Sequence, residues 1–243
     1  MTARADFLAH IRREVAKAPG QFAASAVPRP PHPGAAAEAI RRELTERWPQ
    51  ALERFREEFE RIAGVFHRVP TLEAVPSVIA AIARERGASR LVTWDPAALG
   101  FDPGPVLSRD GLVVAAVRAG QEDDAARERH RAEAAAAQIG VTGADFALAE
   151  TGTLILLSGA GRPRSTSLLP DVHVAVFGRD RLLETLEQVG VMLEALHADA
   201  DRSMSGAMIN FITGPSRTAD IELTLTRGVH GPKEVHAIFV EAP

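Results

Sequence analysis

Apolar residues recur along the chain at two different spacings, and the spacing changes near residue 65. Before that point the pattern is helical, because Phe7, Ile11 and Val15 follow one another at intervals of four residues. Residues 35–64 place seven large apolar side chains near one face of a second, charge-rich helix. The pattern therefore predicts two amphipathic helices, over residues 3–17 and 35–64.

Prolines separate and interrupt these two helices. Residues 21–34 contain four prolines, which exclude a helix and favour an extended linker. Pro49 lies inside the second helix and is expected to break or kink it. We therefore predict an N-terminal helical arm with a Pro-rich linker over residues 1–64, followed by one domain over residues 65–243. The arm is predicted to be a packing or dimer-contact element, which leaves homo-oligomer formation open.

From residue 65 onward, short β-rich runs alternate with helical ones. Strands are predicted at residues 65–69, 90–94, 112–117, 172–177, 208–212 and 235–240. Helices are predicted at residues 72–86, 122–138 and 181–198, the first capped by Gly87 and the second ended by Gly140. Residues 146–157 form a hairpin or a bulged strand. This alternation predicts an α/β fold with a largely parallel sheet covered by helices on both faces.

Composition excludes several classes of function. The formal charge is −4 and aromatic residues make up 5%, with no tyrosine, which disfavours a nucleic-acid partner. No apolar run approaches about 20 residues, so no membrane span is predicted. The first residues lack the apolar core of a secretory signal, and we expect a cytoplasmic protein. Because the chain has no cysteine, disulfides, a catalytic thiol and ordinary iron–sulfur ligation are excluded from it. No cofactor is predicted in this chain.

Three polar segments are candidates for chemistry, and the first is a turn at Glu150. Glu150 and Thr151 precede Gly152, between two apolar runs. A carboxylate beside buried strands can have a raised pKa, or act as a base or nucleophile. A plain hairpin turn with a solvated glutamate explains the same residues.

The second candidate is a loop at residues 159–167, called here the arginine loop. It holds two glycines, three hydroxyl side chains, and the guanidinium groups of Arg162 and Arg164. Backbone N–H groups and guanidinium groups together can bind an anion. The loop matches neither a Walker sequence nor a dinucleotide-binding glycine pattern. A flexible solvated loop is the alternative.

The third candidate comprises two turns near the C-terminus. Ser216, Arg217 and Thr218 follow a Gly-Pro pair and offer donors to an anion, and Asp220 comes just after them. His230 stands between two glycines that permit a tight turn, which suits a general base or a ligand-binding side chain. Residues 221–227 fit a helix and a strand equally well. No metal site is predicted, because the histidines lack short ligand spacing.

These segments also carry a resemblance to a known family. The runs Gly-Pro-Ser-Arg-Thr-Ala-Asp-Ile-Glu at 214–222 and Gly-Val-His-Gly-Pro at 228–232 resemble the LUD-domain family, in particular its lactate utilization protein C group. Glu-Thr-Gly-Thr at 150–153 and Ser-Leu-Leu-Pro at 167–170, with His173, look like the middle of that family's domain. The resemblance covers residues 65–241.

The resemblance implies a sheet like that of the NagB/RpiA/CoA-transferase group, flanked by helices. It also implies a role in oxidising L-lactate to pyruvate together with iron–sulfur partner proteins, so that the electron acceptor lies on another chain. Arg162, Arg164 or Arg217 would then hold the carboxylate of a small organic acid, and His230 or Glu150 would take a proton. Whether the chain is itself catalytic stays open.

Two alternatives remain beside this function. The chain is then either a non-catalytic accessory or assembly subunit of that system, or an acyl- or CoA-transfer enzyme with Glu150 as its nucleophile. In the accessory role the pocket would bind a regulatory anion or nothing. We expect the glutamate turn, the arginine loop and the two C-terminal turns to meet at one common pocket.

Overall fold

The chain divides into two compact units, Met1–Pro31 and His32–Pro243. The computed structural model describes residues 3–16, 30–120, 123–198, 208–219, 225–228 and 230–242. In the first unit it describes one helix, α1 (Ala3–Ala16), which confirms the predicted N-terminal helix.

A six-stranded sheet forms the centre of the second unit. In spatial order its strands are β1 (Val65–Thr71), β12 (Glu234–Ala242), β7 (Val172–Gly178), β4 (Ile139–Gly143), β2 (Arg90–Thr93) and β3 (Val113–Ala116). Every pair of neighbouring strands is parallel. The α/β class and the largely parallel sheet are therefore confirmed.

A second sheet lies in the same unit and is mixed. In spatial order its strands are β8 (Leu182–Leu183), β5 (Phe146–Leu148), β6 (Thr153–Leu157) and β9 (Ile209–Ile212). β5 and β6 pair antiparallel around a tight turn, so the predicted hairpin is confirmed. A separate antiparallel pair joins β10 (Arg217–Ala219) to β11 (Leu225–Arg227), which makes part of the ambiguous segment 221–227 a strand.

Helices surround the sheets. They are α2 (Pro33–Arg61), α3 (Val75–Glu85), α4 (Pro96–Leu99), α5 (Gly104–Arg109), α6 (Asp124–Ala136), α7 (Ser165–Leu168) and α8 (Leu186–Ala198). Short 3-10 turns precede α3 and β8, at Leu72–Ala74 and Arg179–Arg181. α3 ends at Glu85, and Gly87, two residues later, has a φ of 62°, the left-handed conformation expected of the predicted cap.

Both faces of the parallel sheet are buried, each against a different layer. Val174 and Ile238 belong to the core that contains Ile79 of α3. Their strand neighbours point the other way, and Phe177 lies in the core formed with α2 and the second sheet. There Phe177 contacts Phe55 of α2, with ring centroids 5.2 Å apart. Strands buried on both faces explain the nearly continuous apolar runs in the sequence.

α2 therefore shares its buried face with the region assigned above to a separate domain, although the division at residue 64 itself stays a prediction. Of the two effects predicted for Pro49, the break is wrong, because α2 continues through it, and the kink stays a prediction. Leu44 and Leu52 are buried on either side of Pro49. Packing on both sides offsets the backbone hydrogen bond that a proline cannot make.

Two further boundaries differ from the prediction. Gly140 does not end a helix: α6 ends at Ala136, and Gly140 lies within β4. The last helix begins at Leu186, five residues after its predicted start at residue 181. Leu182 and Leu183 pair instead with β5, so strand pairing in the second sheet outweighs their helical spacing.

Candidate functional site

The chain reverses its direction across the parallel sheet between β2 and β4. From β2 it proceeds to β3 on one side, whereas from β4 it proceeds to β7 on the other. The connections that leave the carboxyl ends of these two adjacent strands therefore diverge and open a crevice. In open α/β sheets, ligands bind in such a crevice, outside the carboxyl ends of the strands.

A cavity of about 670 Å³ lies at this point. Its walls include residues at or just beyond the carboxyl ends of three of the parallel strands: Trp94 after β2, Asp145 two residues after β4, and Gly178 at the end of β7. The hairpin contributes Leu157, and the arginine loop contributes Arg162. The volume lies within the range of about 300 to 1,000 Å³ that is usual for small-molecule sites.

Five charged side chains line this pocket. Arg162 donates from Nη1 to Asp145 Oδ1 at 2.9 Å, and Arg181 Nε lies 3.0 Å from Asp180 Oδ2. The guanidinium group of Arg41, from α2, has no hydrogen-bond or ion-pair partner among the described residues, while its backbone carbonyl accepts from Thr45 Oγ1 at 2.9 Å. The lining thus holds three guanidinium groups and two carboxylates, with one cation left uncompensated. This arrangement favours an anionic ligand.

The guanidinium group of Arg162 is held in place from several directions. Its Cζ lies over the ring of Trp94, 5.8 Å from the centroid, and Trp94 Nε1 donates to the carbonyl of Pro163 at 3.2 Å. Asp145, which binds Arg162, also accepts from the backbone N–H of Leu157 at 2.7 Å. Arg162 is therefore oriented before any ligand arrives, which lowers the entropy lost on binding.

Asp95 connects three loops at this edge of the sheet. Its carboxylate accepts from the backbone N–H groups of Ala97, at 2.9 Å, and Ala119, at 2.6 Å. Its own backbone N–H donates to the carbonyl of Gly161, in the arginine loop, at 2.9 Å. The hydrogen bonds from Ala119 and Ala97 lower the pKa of Asp95, because they stabilise its charged form. Asp95 thus positions the arginine loop beside β2.

The pocket lies at the carboxyl ends of the parallel strands, called here the carboxyl edge of the sheet. Glu150 lies at the opposite, amino ends of these strands, called here the amino edge. The hairpin strand β6 runs from the turn at Gly152 toward the pocket, and its five residues span about 16 Å at 3.3 Å per residue. Glu150 and Arg162 therefore lie beyond opposite ends of β6. The exposed Glu150 accepts from the backbone N–H of Leu186, at the start of α8, at 2.9 Å. It acts there as a helix cap.

The first C-terminal turn also lies at this amino edge, around the end of α2. Arg217 donates from Nη2 to the carbonyl of Ile62 at 2.6 Å. A hydroxyl contact of 2.9 Å joins Thr213 to Thr153, beside the glutamate turn. The contact from Arg217 satisfies a carbonyl group at the C-terminus of α2 and places a positive charge beside it, both of which stabilise a helix end.

The remaining predicted residues lie outside the pocket or outside the described part of the chain. Ser216 donates from its backbone N–H to the carbonyl of Pro232, at 2.9 Å, and so joins the two C-terminal turns. His230, in the second turn, is exposed. Thr218 lies in β10, and Asp220 lies outside the described residues. The guanidinium group of Arg164 contacts Met208 Sδ at 2.8 Å and is absent from the pocket lining.

The expected common pocket is therefore wrong. The glutamate turn and the two C-terminal turns do meet, but at the amino edge of the sheet around the end of α2. Of the predicted site residues that the structure describes, Arg162 alone lines the cavity at the carboxyl edge.

Five charged residues of the pocket region were missed: Arg41, Asp95, Asp145, Asp180 and Arg181. Asp95 could have been found, because it directly follows a predicted strand, where polar residues in α/β folds face the ligand. Asp145 could not, because β4 before it was not predicted.

Within the described parts of the chain, no three His, Asp or Glu side chains are grouped so as to hold a metal ion. No helix among those same residues combines the length and apolar character needed to cross a bilayer.

The fold and the site together define a class of protein, the open parallel α/β sheets. In this class the ligand pocket lies at the switch point, where the chain reverses its direction across the sheet. Within that class, the sequence profile of the LUD domain family matches residues 52–240. The chain belongs to the LUD domain family, which confirms the resemblance drawn from its motifs.

Relatives with known names are similar to this chain over part of their length. "Lactate utilization protein C" of Halalkalibacterium halodurans is 40% identical over 161 residues, covering 66% of each chain. The protein of the same name from Bacillus licheniformis is 39% identical over 119 residues, or 49% of each chain. The aligned stretches thus span from about half to just under two thirds of these two relatives.

A solved structure shares the fold. The crystal structure of a DUF162 family protein from Deinococcus radiodurans superposes with a TM-score of 0.52 and 21% sequence identity. The match covers 79% of this chain and 98% of that one. At this identity the likeness concerns the fold alone.

Proposed function

We propose that this chain is a component of a lactate utilization system and that its pocket at the carboxyl edge binds a small organic acid. The name shared by its relatives supports the system. The observation that carries the binding role is the pocket itself, which lies at the switch point and holds one uncompensated guanidinium group, that of Arg41.

The arginines would have different roles in binding the acid. Arg41 is free to form a paired hydrogen bond with the carboxylate, as guanidinium groups do with planar anions. Arg181 also lines the pocket. Its ion pair with Asp180 is exposed, so replacing Asp180 by the carboxylate of the ligand costs little free energy. Arg162 stays bound to Asp145 and adds positive potential at the pocket wall.

Oxidation of the bound acid would depend on partners. Iron–sulfur subunits would supply the electron acceptor, because this chain has no cysteine to hold such a cluster. Both carboxylates in the described lining are paired with arginine. Glu150 and His230, the candidate proton acceptors, lie at the other edge. We therefore propose binding and presentation of the acid by this chain, with electron transfer on a partner subunit.

Binding can be followed through Trp94. The chain has two tryptophans, and Trp48→Phe leaves Trp94, in the pocket wall, as the remaining one. Titration of that variant with L-lactate is expected to give a saturable change in fluorescence. Adding Arg41→Gln should weaken binding at least about tenfold, since a hydrogen bond to a charged group contributes about 1.5 to 3 kcal/mol.

The control is Arg42→Gln, a neighbouring exposed arginine that does not line the pocket. It should leave the dissociation constant unchanged. Equal weakening by both substitutions would mean that only the net charge of the helix matters, and an unchanged constant for Arg41→Gln would remove Arg41 from the site.

The second candidate function is that of a non-catalytic assembly subunit. The observation that favours it is the apolar side of α1, where Phe7, Leu8 and Ile11 are exposed. Co-purification with an iron–sulfur partner that is lost when these three are replaced by serine, with L-lactate binding unchanged, would support it. Acyl transfer by Glu150 is not favoured, because this carboxylate caps α8 and lies far from the pocket.

A further inference from the structure

The pocket is much larger than lactate. A cavity of about 670 Å³ is of the size that holds drug-sized ligands, whereas lactate presents one methyl group beside its carboxylate and hydroxyl. If lactate alone were the ligand, most of the lining would stay in contact with water.

Part of the lining is apolar. Leu72, Leu99 and Leu196 line it and are half-buried, and Ala97 and Ala98 line it and are exposed. We call these five residues the apolar wall. They come from three separate elements: the turn after β1, α4 and α8. Side chains from such distant parts of the chain present carbon surface to one cavity, and that surface gains free energy when a ligand covers it.

We propose that the pocket binds 2-hydroxy acids whose side chains are longer than that of lactate, with the carboxylate at Arg41 and the aliphatic chain against the apolar wall. This inference rests on the proposed function, because it assumes that the acid binds in this pocket. It makes the apolar wall the feature that determines substrate size.

We expect the affinity to increase with the length of the aliphatic chain of the acid. Each added methylene that leaves water for an apolar surface should tighten binding about fourfold. From L-lactate to L-2-hydroxyhexanoate, three methylenes longer, the dissociation constant should therefore fall by a factor of about 60. The amide of 2-hydroxyhexanoic acid has the same chain without the charge and should bind far more weakly than the acid.

The test is a calorimetric titration of the full chain with the series L-lactate, L-2-hydroxybutanoate, L-2-hydroxypentanoate and L-2-hydroxyhexanoate. Ala98→Phe is the variant that narrows the pocket at the apolar wall. It should weaken binding of the six-carbon acid at least about tenfold and leave L-lactate within twofold, since about two methylenes' worth of contact is lost. Ala125→Phe, on an exposed position of α6, should change neither.

The outcomes separate this inference from the function on which it rests. Affinity that is flat or falls with chain length, with L-lactate bound, overturns the longer substrate and leaves the proposed function standing. If Ala98→Phe weakens the binding of all four acids equally, the aliphatic chain of the acid does not lie against the apolar wall. Failure of every acid to bind overturns the proposed function as well.

Discussion

Replacement of Gly140 by alanine is expected to lower the free energy of unfolding by at least about 3 kcal/mol. A β-carbon at this position would overlap the carbonyl oxygen of Thr166 and come within 3.1 Å of Pro170 Cγ. The overlapped atom belongs to the backbone of α7, so no side-chain rotation relieves the clash. The two backbones must separate, and the packing between β4 and α7 is lost.

The measurement is thermal unfolding. For a chain of this size the expected loss corresponds to a melting temperature lower by about 6 to 12 °C. Gly190→Ala is the matched control, because Gly190 lies in α8 with no atom within 4 Å of an added β-carbon. It should stabilise the protein by about 0.5 to 1 kcal/mol. A Gly140→Ala variant that melts within 2 °C of the wild type would show that α7 does not pack directly on β4.

A second large effect is expected on acidification, and it arises from His173. This side chain is fully buried in β7, and burial lowers its pKa from 6.5 to about 3. Its Nε2 lies 2.8 Å from Thr142 Oγ1, while Nδ1 has no partner among the described residues. A proton added at Nδ1 would place an unsatisfied charge in the core.

The direction of the pH dependence follows from proton binding in the two states. Between pH 6.5 and about 3 the unfolded chain holds a proton on His173 that the folded chain lacks. The free energy of unfolding therefore falls as the pH falls, by about 1.4 kcal/mol per pH unit from this group. Burial also lowers the pKa of His67, His130 and His236, and their contributions have the same sign.

A substitution isolates the contribution of His173. His173→Gln keeps a polar atom near the position of Nε2 and cannot titrate, so its unfolding free energy should depend less steeply on pH. Between pH 7 and pH 4.5 the wild type should therefore lose about 3 kcal/mol more unfolding free energy than His173→Gln loses. Urea unfolding at several pH values measures the slopes of both proteins, and identical slopes for His173→Gln and the wild type would contradict the assignment.

The parallel strands were predictable because their residue types agree with their environment. Residues 172–177 and 235–240 are rich in valine, alanine and phenylalanine on both faces, and the structure covers both faces of β7 and β12. β4 was missed for a physical reason. It is short, its first glycine is required by the close approach of Thr166, and glycine in a strand weakens the signal.

The candidate site was predictable only in part. Turns were found where glycine and proline mark them, but a turn does not reveal the edge of the sheet at which it lies. Glu150 and Arg162 are close in sequence, yet β6 carries the chain from one edge to the other between them. Arg41 lies among other charged residues of α2, and its role depends on which side chains reach the pocket. That is a property of the packing of α2 rather than of its local sequence.

A crystal structure of the full chain with bound L-2-hydroxyhexanoate would show where in the protein the acid binds. The acid should occupy the cavity between the carboxyl ends of β2 and β4, with its carboxylate within hydrogen-bonding distance of Arg41 and its aliphatic chain against Leu99 and Leu196. An acid bound instead at the amino edge, between Ser216 and His230, with the cavity empty, would contradict binding in this pocket.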